Sequence, residues 1–280
     1  MNGLKDRIAL VTGASRGIGK FIAEALAAEG VHLSLAARNE AALETTAASL
    51  REQYQVRVLV VPTDVSVRSQ LEQLVQRTQD ELGFIDLLIN NAALERMERF
   101  CDSDWDQTAM DLAVNVRGPM DLTRLILPGM IERDCGHIVN VASLAGFGAH
   151  AHAESYVTTK HAIIGFTRAL RASLKAQQSQ VSASSVCPGF VREVGMFARK
   201  QTSAGVQSPA LLGSSSPIAV ARAVIKVIHR DVPEKIVNPM PVRPFLMLAM
   251  LFPSLGEWIM RKAGVQRISQ KVLESDRQTP

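Results

Sequence analysis

Ile8-Ala9-Leu10-Val11-Thr12-Gly13-Ala14-Ser15-Arg16-Gly17-Ile18-Gly19 is the stretch whose reading decides the fold. The run from Ile8 to Thr12 is apolar and β-branched, as suits a strand buried in a parallel sheet, and a helical pattern follows from Lys20 to Ala28. Between them, Gly13 permits a tight turn, Gly17 lets backbone approach a phosphate, and Gly19 lets helix pack close on strand. The helix N-terminus then faces the anion. Glycines spaced Gly-x-x-x-Gly-x-Gly are weak evidence alone; the strand-to-helix setting is what makes them informative.

The next strand, Val31 to Ala37, ends about 20 residues beyond the glycines, where a dinucleotide fold places the group that reads the adenosine ribose. An acidic side chain there binds the ribose hydroxyls of NAD. This chain has Ala37 and then Arg38, with Arg16 as a second cation. Two guanidiniums without a carboxylate suit a 2′-phosphate, so NADP is expected over NAD; the bland alternative is two solvated arginines. Helix and strand then alternate: helix Glu40 to Arg51, strand Arg57 to Thr63, helix Arg68 to Leu82, strand Phe84 to Ile89. This order predicts an α/β fold, a doubly wound parallel sheet of Rossmann-like type in three α/β/α layers. Ligands of such sheets bind beyond the carboxyl ends of strands, where Asp64, Val65 and Asn90-Asn91-Ala92 fall.

A long helical stretch, Asp102 to Arg133, carries Gly118-Pro119 inside it. Proline has no N–H to donate four residues back, so the Asn115 carbonyl is left without a helical partner, free to hold a water; the bland alternative is a simple kink. The strand His137 to Ala142 puts Ser143 at its carboxyl end. In the following helix, which runs to about Gln177, Tyr156 and Lys160 share a face, so an ammonium is expected beside a phenol, lowering its pKa toward the working range. Taken alone, that pair is an ordinary surface arrangement. A sixth strand, Val181 to Val186, leads to Cys187-Pro188-Gly189. Residues 190–216 lack a clear period and read as a substrate loop or lid. Ser216-Pro217 opens a helix to about His229, and Lys235 to Asn238 forms a last short strand. No linker or repeat interrupts this order, so residues 1–280 are expected to form one domain.

The chain has 280 residues, 47% of them apolar, enough for a sizeable core. Its net charge of +4 is dispersed, which argues against nucleic acid as a partner. Cys101, Cys135 and Cys187 are widely spaced and lack paired histidines, predicting a reduced, cytoplasmic protein with no metal site. Met1 to Arg7 shows no signal-peptide pattern, so export is not expected. The extension 241–280 is apolar at Phe245 to Phe252 and again at Trp258, Ile259 and Met260, flanked by Arg243, Arg261 and Lys262. A bilayer span needs ~20 apolar residues, so this extension is expected to cover the pocket or a subunit interface, or to lie peripherally on a membrane.

Thr12 to Gly19, Asp64-Val65, Asn90-Asn91-Ala92, Asn115, Ser143, Tyr156-x-x-x-Lys160 and Pro188-Gly189 together resemble the short-chain dehydrogenases/reductases in their single-domain form. The likeness covers about residues 5–240, with every motif in the family's order. It implies hydride transfer between NAD(P) and a carbonyl/alcohol pair. By the resemblance, Tyr156 is the acid/base, Ser143 binds the substrate oxygen, and Lys160 tunes the phenol and holds the nicotinamide ribose. Asn115 would hold a water that joins Lys160 to solvent. The implied cofactor contacts come from Gly13, Ser15, Arg16, Gly17, Ile18 and Gly19, from Arg38, Asp64, Val65 and Asn91, from Tyr156 and Lys160, and from Pro188, Gly189 and Val191. Glu193 departs from the family's usual Thr, and a carboxylate there would repel phosphate, so it is expected to point elsewhere. Ala93 replaces a usual glycine and adds only a methyl group.

The expected enzyme acts on a small-molecule carbonyl/alcohol substrate that is apolar and sizeable, steroid-, retinoid- or acyl-like, with Phe190, Met196 and Phe197 walling the pocket. Apolar faces on the helices around Asn115 and Tyr156 suggest a homodimer or homotetramer. The competing class is a dinucleotide-binding regulator or scaffold without catalysis; the four filled catalytic positions argue against it.

Overall fold

A computed structural model describes residues 3–209, 212–262 and 264–278. The strands are β1 (Ile8–Thr12), β2 (His32–Ala37), β3 (Val58–Pro62), β4 (Leu87–Asn90), β5 (His137–Val141), β6 (Ser182–Pro188) and β7 (Glu234–Val237). They form one parallel sheet in the order β3-β2-β1-β4-β5-β6-β7. β1 is central: Ala9 is in register with Leu33 on one side and Leu87 on the other. The winding reverses there, which opens a crevice at the carboxyl ends of β1 and β4.

Alternation along each strand feeds two cores. Ala9 and Val11 pack with Leu33, Leu35 and Ile89 against α1 (Ile18–Ala28), α2 (Glu40–Tyr54) and α8 (Pro217–Arg230). Leu10, Leu59, Leu88 and Ile138 face the other way, onto α3 (Arg68–Glu81), α5 (Gly118–Glu132) and α6 (Glu154–Ala176). This is the three-layer, doubly wound arrangement expected from the alternation of elements.

Three expectations need correction. β4 starts at Leu87, not Phe84, because Phe84 is exposed and the Asp86 carboxylate accepts from the Ile8 amide at 3.0 Å, with Arg7 and Arg133 beside it. The stretch Asp102 to Arg133 is not one helix. A 3₁₀ turn at Phe100–Asp102 precedes α4 (Trp105–Leu112), whose N-terminus is capped by Asp104, and a π-helical turn at Ala113–Arg117 then leads into α5. Pro119 lacks the N–H that an unbroken ladder needs, and the Gly118 amide reaches back five residues to the Ala113 carbonyl instead.

Of residues 190–216, those described, 190–209 and 212–216, are also more ordered than their pattern suggests, while 210 and 211 lie outside the described residues. They contain α7 (Gly195–Ala204) and a bridge between Val191 and Ser215. Phe197 is the only buried side chain on α7, so the helix has no apolar stripe to announce it. The extension forms α9 (Arg243–Leu251), α10 (Pro253–Lys262) and α11 (Val265–Gln278). α11 docks on α7 through Ile268 and Val272 against Phe197 and Val206. Phe245 and Leu246 face inward, while Met247, Met250, Leu251 and Trp258 are exposed; the Ile259 and Met260 side chains lie outside the described residues. Among the described residues no helix is long and apolar enough to cross a membrane.

Candidate active site

At the end of β1 the chain turns sharply. Gly13 has φ 68° and donates its amide to the Ala36 carbonyl at 2.7 Å; a Cβ on it would stand 2.9 Å from Ala92 Cα. Asn91 Nδ2 donates to the Thr12 and Gly13 carbonyls at 2.9 and 3.3 Å, and Thr12 Oγ1 accepts from the Asn91 and Ala92 amides at 3.0 and 3.1 Å. The glycine turn is thus clamped from the end of β4. Gly19 lies under the Gly13 carbonyl, where any Cβ would collide, and packs α1 on the sheet rather than lining the cavity.

The N-terminus of α1 has no side-chain cap and no acidic residue in its first turn, whereas Asn39, Asp104 and Ser216 cap α2, α4 and α8. Its orphan N–H groups open beside Ser15, Arg16, Gly17 and Ile18, a setting that fits a pyrophosphate. Arg16 and Arg38 both line this end of the cavity, with Ala37 between sheet and solvent and no carboxylate at the tip of β2. Asn39, next in sequence, spends its side chain on the Ala42 amide. Asp64 and Val65 line the same end, and the Asp64 carboxylate accepts from the Ser66 amide and hydroxyl at 2.9 and 2.6 Å. The residues present therefore fit a nicotinamide dinucleotide.

At the other end, Ser143 leaves β5 in extended conformation and accepts from the Ala145 amide at 3.1 Å. Tyr156 and Lys160 project from α6 into the same cavity. Lys160 Nζ donates to the Val141 carbonyl at 3.1 Å and stands 5.5 Å from the Tyr156 ring centroid. The expected lowering of the phenol is overturned in this state. Burial pushes the Tyr156 pKa well up, Glu95 adds to the rise, and only the Ser143 hydrogen bond opposes it. Burial also lowers Lys160 to about 8, against the raising influence of Glu95 and Cys187. Desolvation outweighs a cation held beside the ring face.

Asn115 is buried in the π-helical turn and does not line the cavity. Its Oδ1 accepts from the Leu94 amide at 2.7 Å, and its Nδ2 donates to the Leu94 carbonyl at 2.8 Å and to Thr159 Oγ1 at 3.1 Å. Thr159 in turn donates to the Tyr156 carbonyl at 2.8 Å. The side chain therefore ties the segment after β4 to the helix that carries Tyr156.

These groups share one cavity of about 930 Å³. Pro188, Gly189 and Val191 line it, as do Phe190, Met196 and Phe197. Glu193 does not: at φ 73° it turns outward and pairs with Arg192 at 2.9 Å. The backbone of Gly195, at the start of α7, comes to 3.5 Å from where a Cβ on Gly17 would stand. Sequence reasoning missed Glu95, His150 and Lys200, which all line the cavity. Glu95 follows the Asn91-Ala92 motif closely enough to have been flagged by proximity; His150 and Lys200 carry no pattern.

The short chain dehydrogenase family model matches residues 7–204. A ketoacyl reductase, HetN, from Nostoc sp. is 38% identical over 280 residues, covering 98% of this chain and 95% of the relative. The D-beta-hydroxybutyrate dehydrogenase of Cupriavidus necator is 36% identical over 192 residues, covering 67% of this chain and 72% of that one. Among solved structures, a short chain dehydrogenase/reductase from Burkholderia phymatum in complex with NAD has a TM-score of 0.80 at 28% identity, covering 91% of this chain and 96% of that one. An actinorhodin polyketide ketoreductase with NADPH has a TM-score of 0.77 at 31% identity, covering 85% and 97%. The glycine turn, the parallel sheet wound about it and the match over residues 7–204 agree: the chain belongs to the short-chain dehydrogenase/reductase family of nicotinamide-dependent oxidoreductases.

Proposed function

We propose that this chain is an NADP(H)-dependent reductase of apolar ketones or aldehydes, acting at Ser143, Tyr156 and Lys160. The observation that carries the reading is the single cavity joining these three residues to the uncapped N-terminus of α1. The bound dinucleotide supplies the hydride. Ser143 orients the substrate oxygen, and Tyr156, kept protonated by its burial, gives that oxygen its proton. Lys160, with a pKa brought to about 8, holds a positive charge near the phenol at neutral pH and steadies the phenolate left behind. Asn115 positions the substrate-side segment against α6 and, through the backbone of the π-helical turn, is assigned the water that relays protons to Lys160. Tyr156→Phe is expected to retain NADPH binding, read by nucleotide fluorescence, while turnover falls by at least ~10²- to 10⁴-fold. Retained turnover overturns the assignment.

The cofactor preference rests on Arg16 and Arg38, which line the cavity where the tip of β2 carries no carboxylate. NADP is expected to bind well over tenfold tighter than NAD, since a bidentate guanidinium–phosphate contact contributes about 1.5–3 kcal/mol. Equal dissociation constants would remove that reading. The substrate is apolar, of acyl, steroid or retinoid type; the acyl class is supported by the 38% identical ketoacyl reductase and by the walls Phe190, Phe197, Phe245 and Leu246. Exposed Trp105, Met110, Leu112 and Met120 on α4 and α5 support a homodimer or homotetramer, which light scattering tests. We assign the enzyme to the cytoplasm, with the exposed apolar residues of α9 and α10 touching a membrane peripherally; full recovery in the supernatant after sedimentation with anionic liposomes counts against that contact.

A further inference from the structure

The last part of the chain presents an apolar surface that the fold does not cover. Every residue from Phe245 to Leu251 on α9 is apolar, and a helix apolar on all sides is ordinarily buried, yet none of the residues of α9 is buried. Its two faces have different neighbours. Val242, Phe245 and Leu246, three and four residues apart, line the substrate cavity, whereas Met250 and Leu251 stand 61% and 73% exposed on the other side, with Met247 exposed beside them. α10 continues the outer surface through Leu255 and Trp258, which are exposed as well. The two helices cross closely, since a Cβ on Gly256 would stand 2.8 Å from Ala249 Cβ, so they behave as one hairpin.

The charges around this surface are nearly all of one sign. Arg261 and Lys262 follow Trp258 by three and four residues, which carries the α10 stripe into two exposed cations with no ion-pair partner among the described residues. Arg243, four residues before Met247, stands at the other end, exposed and reaching Glu234 at 3.6 Å. Glu257 is the one acid between Arg243 and Lys262. Exposed apolar side chains, a tryptophan and flanking cations are what a helix lying at an anionic bilayer surface presents. A second copy of the chain would instead bring the same cations against each other, with one acid on each side to offset them. We propose that the outer face of the α9–α10 hairpin seats on an anionic phospholipid bilayer, so that α9 alone stands between lipid and substrate cavity and the enzyme draws an apolar ketone dissolved in that bilayer. This deepens the peripheral contact proposed above and, for its substrate, rests on the proposed reductase activity.

The chain has two tryptophans, Trp105 on α4 and Trp258 on α10, 91% and 49% exposed. In the full-length Trp105→Phe protein, Trp258 emission is expected to shift to the blue when phosphatidylglycerol vesicles are added and to be quenched by lipids brominated high on the acyl chain. Binding should be weaker to phosphatidylcholine and in high salt. In the Trp258→Phe protein, Trp105 should not respond. Leu251→Glu, a change at an exposed side chain, is expected to keep the parent unfolding temperature and to weaken vesicle binding at least ~10-fold, the loss for one buried leucine. A silent Trp258, or an equal response from Trp105, overturns the proposal. So does a Leu251→Glu protein that falls from oligomer to monomer in light scattering while the parent ignores vesicles, because the face then belongs to a second copy. Delivery is read by kinetics. The parent rate on a long-chain ketone held in vesicles should follow its mole fraction in the lipid, and Leu251→Glu should lose that rate while keeping its rate on a short, water-soluble ketone. Equal loss on both ketones, or loss on neither, overturns the delivery. A protein whose Trp258 docks but which reduces neither ketone counts against the proposed reductase and not against the docking.

Discussion

The cavity is built from two halves of different construction. The dinucleotide half is made largely of backbone: a glycine turn, strand ends and an uncapped helix N-terminus, locked by Thr12 and Asn91. The substrate half is made of side chains on helices that lie outside the sheet. It is held by the small cluster of Phe197, Val206, Ile268 and Val272, by the Glu95–Lys200 pair and by the Ser275 hydroxyl on the Ser203 carbonyl at 3.1 Å. The first half tolerates almost no change in shape, while the second can be retuned residue by residue. That division lets one reaction be kept while the molecule it acts on varies.

The largest effect is expected where backbone meets backbone. Gly19→Val would drive a branched side chain into the Gly13 carbonyl and should cost more than about 4 kcal/mol, abolishing NADPH binding or folding outright. Thermal unfolding checks this, and parent-like stability would refute the cradle. Next comes acid sensitivity of the sheet. His137 is buried in β5 against Ser184 Oγ at 2.8 Å, and burial lowers its pKa from 6.5 to about 4, with Asp231 opposing and Arg171 assisting. The unfolded chain therefore binds the extra proton first, so stability falls as pH drops from about 6.5 to about 4, by at most about 3 kcal/mol. His137→Asn should flatten that slope in urea titrations; an unchanged slope would locate the acid sensitivity elsewhere. The smallest global effect belongs to the cap. Ile268→Ala should cost about 1 kcal/mol or less in global stability, because α7 and α11 can open without the sheet, yet it should speed amide exchange in both helices and raise KM for bulky ketones. A loss of about 2–5 kcal/mol, as for a core residue such as Leu88, would show that cap and sheet unfold as one.

What the sequence disclosed follows the same division. β1, its glycine turn and α1 were readable because strand burial, turn and helix start each demand particular residues at particular spacings. The alternation through β7 was readable for the same reason, and so were Ser143, Tyr156 and Lys160 as neighbours in one cavity. The break in the helix at Pro119 was visible as a missing donor, but not its resolution as a π-helical turn in which the Gly118 amide reaches the Ala113 carbonyl. α7 was hidden because its burial comes from α11, far along the chain, and not from a stripe of its own. The direction of the Tyr156 shift was misjudged because spacing along a helix shows which groups are near and not how much water has been removed. Lys200 finding Glu95 is a tertiary event between residues with no shared motif.

The meeting of Gly195 with Gly17 bears on the order of events in each catalytic cycle. Neither partner carries a side chain, and a Cβ on Gly17 would stand 3.5 Å from the Gly195 backbone, so the first turn of α7 lies just beyond the turn that would receive the anion. Whatever occupies that turn is expected to enter before α7 settles and to leave after it lifts. The rate law expected is a compulsory-order one, nucleotide on first and off last.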